Sequence, residues 1–167
     1  MQKLDIGLIV TGFKRPNLFR KAVKSLSNLG LPHDTPCYAF IDGPRSHNES
    51  EFNKNKLVKN IAINLFKDGY LSQITLRDKN LGTMENIYQS VSEILKKHDY
   101  VFVLEDDLEI LPIASGALIK LIILMKGKIN AFSLYCNKSY CNNIFYSQRY
   151  SSQGWGTSKK YWEKFNP

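Results

Sequence analysis

The sequence predicts an α/β fold, a three-layer α/β/α sandwich built around a mostly parallel central sheet. Short apolar segments alternate with longer segments of helical periodicity over the first hundred residues, and this alternation is typical of parallel sheets covered by helices on both faces. Four apolar segments end in glycine, arginine or acidic residues, as buried parallel strands often do at a ligand-binding edge. The chain has 167 residues and is 43% hydrophobic, which suits one folded domain.

The first hundred residues divide into four strands and three helices. Each predicted strand is a short apolar run bounded by turn-forming residues, and the four runs are 4–10, 36–41, 72–76 and 100–104. Each predicted helix has apolar side chains every three or four residues, and these segments are 16–29, 50–67 and 83–97. Pro16 supports the start of the first helix because proline is favoured in a first helical turn.

The remaining sequence predicts a less regular arrangement. An apolar helix is expected from 112 to about 126, strands at 131–135 and 144–149, a polar loop at 151–158, and a short helix at 159–165. The longest apolar segment, 110–125, contains Pro112, Gly116 and Lys120 and is too short to span a membrane. We therefore expect a buried or membrane-surface helix there, and no signal peptide at the N-terminus.

Charge and cysteine content limit the partners and the compartment. The chain carries 23 Lys and Arg against 15 Asp and Glu, a net charge of +8. That excess indicates either an anionic partner, such as a phosphate group or an anionic lipid, or simply a solvated basic surface. The lysines form no long basic run, and we expect no nucleic-acid partner. Cys37, Cys136 and Cys141 are too few for a disulfide framework, which favours a reducing, cytoplasmic location and a packing role.

Four acidic residues follow the fourth predicted strand within five positions: Glu105, Asp106, Asp107 and Glu109. Two carboxylates ~4 Å apart near a protein surface repel each other by roughly 4 kcal/mol. The side chains must therefore point apart into water or enclose a cation, and a hard divalent ion prefers such oxygen ligands. The alternative is a helix N-terminus, where acidic residues are favoured, since Pro112 begins the next predicted helix.

Three other loops carry candidate binding residues. Thr11 and Gly12 precede basic residues and a helix start, which suits a phosphate, although the P-loop pattern is missing. Asp42 and Gly43 either hydrogen-bond a base or ribose, or form an ordinary turn. Asn80 belongs to an Asn-Leu-Gly segment that is either a binding loop or a helix cap.

Together these segments resemble a known family. IVTGFKRP at 9–16, IDGP at 41–44, NLG at 80–82, VLEDDL at 103–108 and GWGT at 154–157 are similar to the motifs of nucleotide-diphospho-sugar transferases of the GT-A fold. The resemblance covers nearly the whole chain. It is closest to bacterial family-2-like sugar transferases and to the N-acetylglucosaminyltransferase type I group, and Glu-Asp-Asp is its most specific part.

The resemblance implies a role for each matching residue. Asp107 would bind Mn²⁺ or Mg²⁺ bridging the diphosphate, Asp106 would face the ribose, and Glu105 would approach the donor sugar. Asp42 would contact the base, and Arg15 would lie near the nucleotide.

Thr11, Gly12, Gly43 and Asn80 would complete the donor site, and the Gly154-Trp155 loop would line the acceptor side. The donor half would occupy about 1–110 of this single domain, and the acceptor half would begin at about 111–167.

The implied function is metal-dependent transfer of a sugar from a nucleoside-diphosphate sugar, with UDP-sugars expected first. The acceptor would be a glycan or a lipid-linked molecule in bacterial surface polysaccharide synthesis, at the inner face of the membrane. The sequence departs from the family where the catalytic base is expected, because Glu163 is the only nearby acid and Asn166 stands beyond it. The relatives continue further with acceptor-binding structure, so we expect a truncated acceptor half.

Two alternatives stay open. The first is a catalytically inactive nucleotide-sugar-binding domain of the same fold. The second is an unrelated phospho-acceptor module that uses Asp106 or Asp107.

Overall fold

A computed structural model describes residues 5–45, 49–125, 130–134 and 153–164. The elements, in chain order, are β1 Ile6–Gly12, α1 Pro16–Ser25, β2 Cys37–Ile41, α2 Glu49–Lys67, β3 Gln73–Leu76, α3 Thr83–Ile94, β4 Tyr100–Glu105, α4 Ala117–Met125, β5 Ala131–Ser133, β6 Trp155–Ser158 and α5 Lys159–Trp162. Short 3₁₀ turns occupy Leu26–Leu29 and Pro112–Ala114. The predicted strand at 144–149 lies outside the described residues, as do Cys136 and Cys141.

The six strands form one sheet in the order β3-β2-β1-β4-β6-β5. Strands β1 to β4 are mutually parallel, and β6 runs antiparallel to both β4 and β5. The chain leaves β1 towards β2 and β3, then returns to the other side of β1 as β4. The gap between the carboxyl ends of β1 and β4 is therefore a topological switch point, where ligands bind in open α/β sheets.

Helices cover both faces of the sheet and confirm the predicted three layers. On one face, α1, α2 and α4 pack their apolar side chains against alternate strand residues such as Leu8, Val10 and Leu104. On the other face, α3 packs Val91 and Ile94 against the intervening strand residues. Cys37 lies in the first of these cores, and burial raises the pKa of its thiol to about 12.

Two helices differ from their predicted bounds for local reasons. The first tightens into a 3₁₀ turn at Leu26 and ends at Gly30, whose φ of 67° is a left-handed conformation that glycine adopts readily. The apolar helix α4 begins at Ala117 instead of residue 112, because Gly116 has a φ of 74° and interrupts the backbone. No helix in the described part of the chain is both long and apolar enough to cross a membrane.

The prediction of a polar loop at 151–158 was wrong for its second half, where the chain forms β6. Trp155 is 5% exposed, and Thr157 and Ser158 are also buried. A Cβ atom on Gly156 would collide with the Phe132 ring and the backbone oxygen of Val101, so only glycine fits between the neighbouring strands. The sequence did not predict this strand, because most of its residues are small or polar. The strand forms by pairing with its apolar neighbour β4.

Candidate active site

The candidate site is an open cleft at the carboxyl ends of β1, β2 and β4, closed on one side by the start of α3. Its lining residues are Thr11, Gly12, Phe13, Arg15, Asp42, Arg45, Asn80, Gly82, Thr83, Asn86, Ile87, Glu105 and Asp106. The parallel register brings these loops together, since Thr11 lies beside Glu105 and Gly12 beside Ile41. The structure thus gathers the predicted binding residues Thr11, Gly12, Arg15, Asp42, Asn80, Glu105 and Asp106 in one place.

One cation at the acidic cluster is supplied by the chain itself. Arg15 precedes Pro16 at the start of α1, and its guanidinium lies between two carboxylates of the cluster. Its Nη1 donates to Asp107 Oδ2 at 2.8 Å, and its Nη2 donates to Asp106 Oδ1. The side chain of Asp106 is 4% exposed and that of Asp107 is 45% exposed. Arg15 therefore holds the β1 and β4 loops together, and Asp107 remains accessible at the rim.

Burial changes the protonation of this cluster. Desolvation raises the pKa of Asp106, although the hydrogen bond from Arg15 opposes that change. Desolvation also raises the pKa of Glu105, and the charges of Asp107 and Asp106 add to it. The pKa of Arg15 is raised because its bonds and charge interactions with Asp106 and Asp107 outweigh the desolvation of its guanidinium. The negative charges of Glu105 and Asp106 are therefore unfavourable in the folded protein, and an additional cation in the cleft would reduce this electrostatic cost.

Replacing Glu105 with glutamine should stabilise the protein in the absence of any ligand. The Glu105 side chain makes no hydrogen bond to any residue that the structure describes, so glutamine removes only a partly desolvated charge. Allowing for solvent screening, we expect a gain of about 0.5–1 kcal/mol in the free energy of unfolding at neutral pH. Urea unfolding of both proteins measures the gain.

The sign of the pH dependence provides the control. Because the folded pKa of Glu105 lies above its ordinary value of 4.5, the folded state binds this proton more tightly than the unfolded state does. The cost of the charge is therefore present at neutral pH and is lost as the pH falls through the folded pKa towards 4.5. The advantage of Glu105→Gln should shrink over the same window, and an advantage independent of pH would contradict this explanation.

Asp42 organises the opposite wall of the cleft. Its Oδ1 accepts hydrogen bonds from the backbone N–H groups of Gly43 and Leu81, at 2.9 Å and 2.8 Å. Its Oδ2 accepts from Asn80 Nδ2 and the Gly82 N–H, both at 3.0 Å. A carboxylate has about four acceptor positions, so these donors occupy its capacity. In this structure Asp42 shapes the cleft, which agrees with the turn alternative, and the contact with a base that the resemblance implies stays a prediction.

Gly43 and Asn80 complete this junction between two loops. A Cβ atom on Gly43 would collide with the backbone of Lys79, so glycine is needed for the two loops to approach. The Asn80 amide also donates to the Gly43 carbonyl at 2.8 Å. The Asn-Leu-Gly segment therefore acts as a partner for Asp42 and Gly43 as well as preceding α3.

Helix α2 braces three of these loops, which the sequence interpretation missed. Glu51, Asn55 and Lys59 are spaced four residues apart on one face of the helix. Glu51 pairs with Lys14 after β1 at 2.7 Å, and this bond lowers the pKa of the Glu51 carboxyl. Asn55 Nδ2 donates to the Phe13 and Asp42 carbonyls, and Lys59 Nζ donates to the Arg77 carbonyl at 2.6 Å. The polar spacing was visible in the sequence, but most of the partners are backbone atoms that the sequence does not reveal.

The outer rim combines an aromatic ring with two cations. Lys14 Nζ lies 5.4 Å from the centre of the Phe13 ring, and the Arg45 guanidinium carbon lies 5.5 Å from it. Both distances are within cation–π range. Phe13, Arg45, Thr83, Asn86 and Ile87 all line the cleft without having been predicted individually. This rim is suited to a flat or anionic ligand.

The described residues fit a metal ion only as part of a ligand complex. Within the described ranges, no three His, Cys, Asp or Glu side chains are grouped as a metal site. Asp107 offers an accessible carboxylate next to a partly desolvated acidic cluster. Mg²⁺ bound with nucleotides typically uses one or two carboxylates and takes its other ligands from phosphate and water. The chemistry of this donor set therefore suits Mg²⁺ or Mn²⁺ accompanied by a diphosphate.

Glu163, the weak candidate base, is not among the described residues that line the cleft. Strand β6 pairs Ser158 with Tyr100, and the N–H of Lys159 bonds to the Asp99 carbonyl at the start of β4. Glu163 follows α5, which begins at that end of β4, whereas the acidic cluster lies past the other end of the strand. The Trp155 ring is likewise buried in the α3-side core and offers no open acceptor surface.

Comparison with solved structures shows where this fold occurs. A mannosyltransferase from Pyrobaculum calidifontis, in complex with GDP-Man and Mn²⁺, aligns with a TM-score of 0.57 and 11% identity over 82% of this chain and 37% of its own. Residues 1–349 of TarS from S. aureus align with a TM-score of 0.54 and 13% identity over 87% of this chain and 39% of that one. The chain thus spans less than two fifths of either protein.

A third similar structure is a synthase. The 4-diphosphocytidyl-2C-methyl-D-erythritol synthase from Anaerococcus prevotii aligns with a TM-score of 0.50 and 14% identity over 97% of this chain and 75% of its own. No protein-family model and no curated protein matches the sequence. At these identities the similarity establishes the fold: a mostly parallel α/β sandwich shared with enzymes that include a nucleotide-sugar-dependent glycosyltransferase.

Proposed function

We propose that this chain is the donor-binding part of a metal-dependent glycosyltransferase that uses a nucleoside-diphosphate sugar. One observation carries the proposal: Arg15 pairs with Asp106 and Asp107 at the switch point between β1 and β4, and Arg15 and Asp106 line the same cleft as Asp42. Two structurally similar proteins support it by fold, one of them bound to GDP-Man and Mn²⁺. The proposed acceptor is a glycan or lipid-linked molecule in surface polysaccharide synthesis at the inner face of the membrane.

The residues around the cleft suit binding of a diphosphate next to a sugar. Asp107 would hold Mn²⁺ or Mg²⁺, and that ion, when bound, neutralises charge on the departing diphosphate. Arg15 holds Asp106 and Asp107 in place and contributes a fixed positive charge to the same region. Asp106 retains acceptor positions for a ribose hydroxyl, and Glu105 presents a partly buried carboxylate towards the cleft.

An inactive binding domain is the second candidate, and a specific observation favours it. Among the described residues that line the cleft, the only carboxylates are Asp42, Glu105 and Asp106. Asp42 and Asp106 are engaged by internal donors, and Glu105 belongs to the charged cluster. If Glu105 approaches the donor sugar, as proposed, the described residues that line the cleft offer no further carboxylate to deprotonate an acceptor hydroxyl.

Release of nucleoside diphosphate separates the two candidates. UDP-, GDP- and dTDP-sugars are each incubated with the chain and Mn²⁺, with a chelator in parallel samples, and the free diphosphate is quantified. A transferase with water or an added glycan as acceptor should release diphosphate only with metal present. Binding without release identifies the inactive domain, and absence of binding across the whole panel contradicts both.

A further inference from the structure

Asn86 is a buried amide that faces the cleft. It lies in the first turn of α3, is 3% exposed, and lines the cleft. Its Oδ1 accepts a hydrogen bond from Arg77 Nε at 2.7 Å. Because a guanidinium has donors and no acceptor, the oxygen of this amide must face Arg77 and the nitrogen must face away from it. The orientation of the Asn86 amide therefore follows from hydrogen-bond chemistry as well as from its contact with Arg77.

Arg77 is itself held firmly at the end of β3. Its backbone N–H donates to the Ile41 carbonyl at 2.9 Å, and its carbonyl accepts from Lys59 Nζ at 2.6 Å. Its guanidinium lies 5.9 Å from the centre of the Phe40 ring, and its Nη2 is buried without a partner among the described residues. These contacts restrict the side chain, so Asn86 cannot turn its amide without leaving the Arg77 Nε–H unpaired as well.

The position of the Arg77–Asn86 pair indicates which end of a bound nucleotide lies next to it. In the sheet order β3-β2-β1-β4, Arg77 follows β3 and the acidic cluster follows β4. Arg77 reaches Asn86 from β3 with its guanidinium carbon 5.9 Å from the centre of the Phe40 ring on β2, so the pair lies towards the β2 side of β1 and the acidic cluster lies on the β4 side. A nucleotide with its diphosphate at the acidic cluster and its long axis across the strand ends would place its base on the Asn86 side. There the acceptors of Asp42 are already occupied.

We infer that Asn86 determines base specificity and that Arg77 is its positioning residue; the inference rests on the proposed function. The Asn86 Nδ2 group donates to a base that presents a carbonyl oxygen, O4 of uracil or thymine or O6 of guanine. Cytosine and adenine present an amino group at that edge, which would place two donors face to face. The site therefore takes nucleoside diphosphates with keto bases and rejects those with amino bases.

Calorimetric titration with UDP, GDP, dTDP, CDP and ADP in the presence of Mn²⁺ tests this inference. The tightest keto ligand should bind at least about tenfold more tightly than CDP or ADP, since each 1.4 kcal/mol is a factor of ten. Asn86→Asp keeps the shape of the side chain and the bond from Arg77 but turns the donor into an acceptor. The ratio of the affinity for the keto ligand to that for CDP or ADP should therefore reverse, and CDP or ADP should bind more tightly. Arg77→Met should bring the ratio towards one, and Arg77→Lys, which restores a donor, should recover part of it.

Gln89→Ala is the matched control. Gln89 lies on the same helix and its amide bonds to Glu85 at 2.6 Å, so the ratio should not change. If Asn86→Asp does not fold, 4-thio-UDP or 6-thio-GDP replaces the same carbonyl on the ligand and should bind more weakly than its parent. Binding that ignores the base, or that favours CDP or ADP in the unmodified chain, overturns the inference while leaving the proposed function intact. Absence of binding by every diphosphate overturns the proposed function instead.

Discussion

Replacing Asp42 with asparagine should lower the free energy of unfolding by about 2–5 kcal/mol and impair nucleotide binding. The Asp42 carboxylate accepts four hydrogen bonds while being 5% exposed. Asparagine offers one acceptor oxygen, and its amide nitrogen would point towards two N–H donors that lose their partner. Each buried donor without an acceptor costs about 1–3 kcal/mol. Chemical denaturation gives the stability change, and calorimetric titration with nucleoside diphosphate and Mn²⁺ gives the loss of binding.

Asp78→Asn provides a control for this substitution. Asp78 lies in the loop after β3, close in sequence to Asn80, but it is exposed to solvent. Substitutions at such positions usually change stability by less than about 0.5 kcal/mol. If Asp42→Asn unfolded at the same denaturant concentration as Asp78→Asn and bound nucleotide normally, the four-donor junction would not be what holds the two loops together.

Much of the fold was predictable because local patterns and the architecture agree. Apolar runs identified β1 to β4, and the periodicity of α3 was visible from Ile87 to Ile94. The rule that parallel strands end at one edge then predicted that the polar loops after β1, β2, β3 and β4 would converge. Those loops do converge, and within them Arg15 forms direct ion pairs with Asp106 and Asp107 that the sequence did not reveal.

The missed features depend on partners that are distant in the sequence. Strand β6 contains few apolar residues, and it forms because the edge of β4 is available for pairing. Glu163 was the only acid near the expected position in the sequence, but the antiparallel direction of β6 makes the preceding helix α5 begin beside the start of β4 and not at its carboxyl end. Asn55 and Lys59 bind backbone carbonyls, which every residue has, so nothing in the sequence marks those partners.

Replacing Asp107 with alanine should abolish the stabilisation that Mn²⁺ and a nucleoside diphosphate together give to the chain. At a ligand concentration about 100 times the Kd, binding adds about 2.7 kcal/mol to the free energy of unfolding. For a domain of this size that corresponds to a rise in Tm of about 5–10 °C. The free proteins should differ little, because the Arg15–Asp107 pair is largely exposed at 45% for each side chain and such pairs contribute about 0–1 kcal/mol.

Glu109→Ala tests whether this effect is specific to Asp107. Both residues belong to the acidic cluster and both are exposed, so both substitutions remove one negative charge from the same segment. Only Asp107 is paired with Arg15 at the rim of the cleft, so only its loss should remove the rise in Tm. Mn²⁺ without nucleotide should have a small effect on every protein, because a single accessible carboxylate leaves most coordination positions to phosphate and water. A full rise in Tm for Asp107→Ala would exclude Asp107 as the metal ligand and move the ion to Glu105 or Asp106. Equal losses in both variants would instead indicate that the cluster attracts the cation only through its net charge.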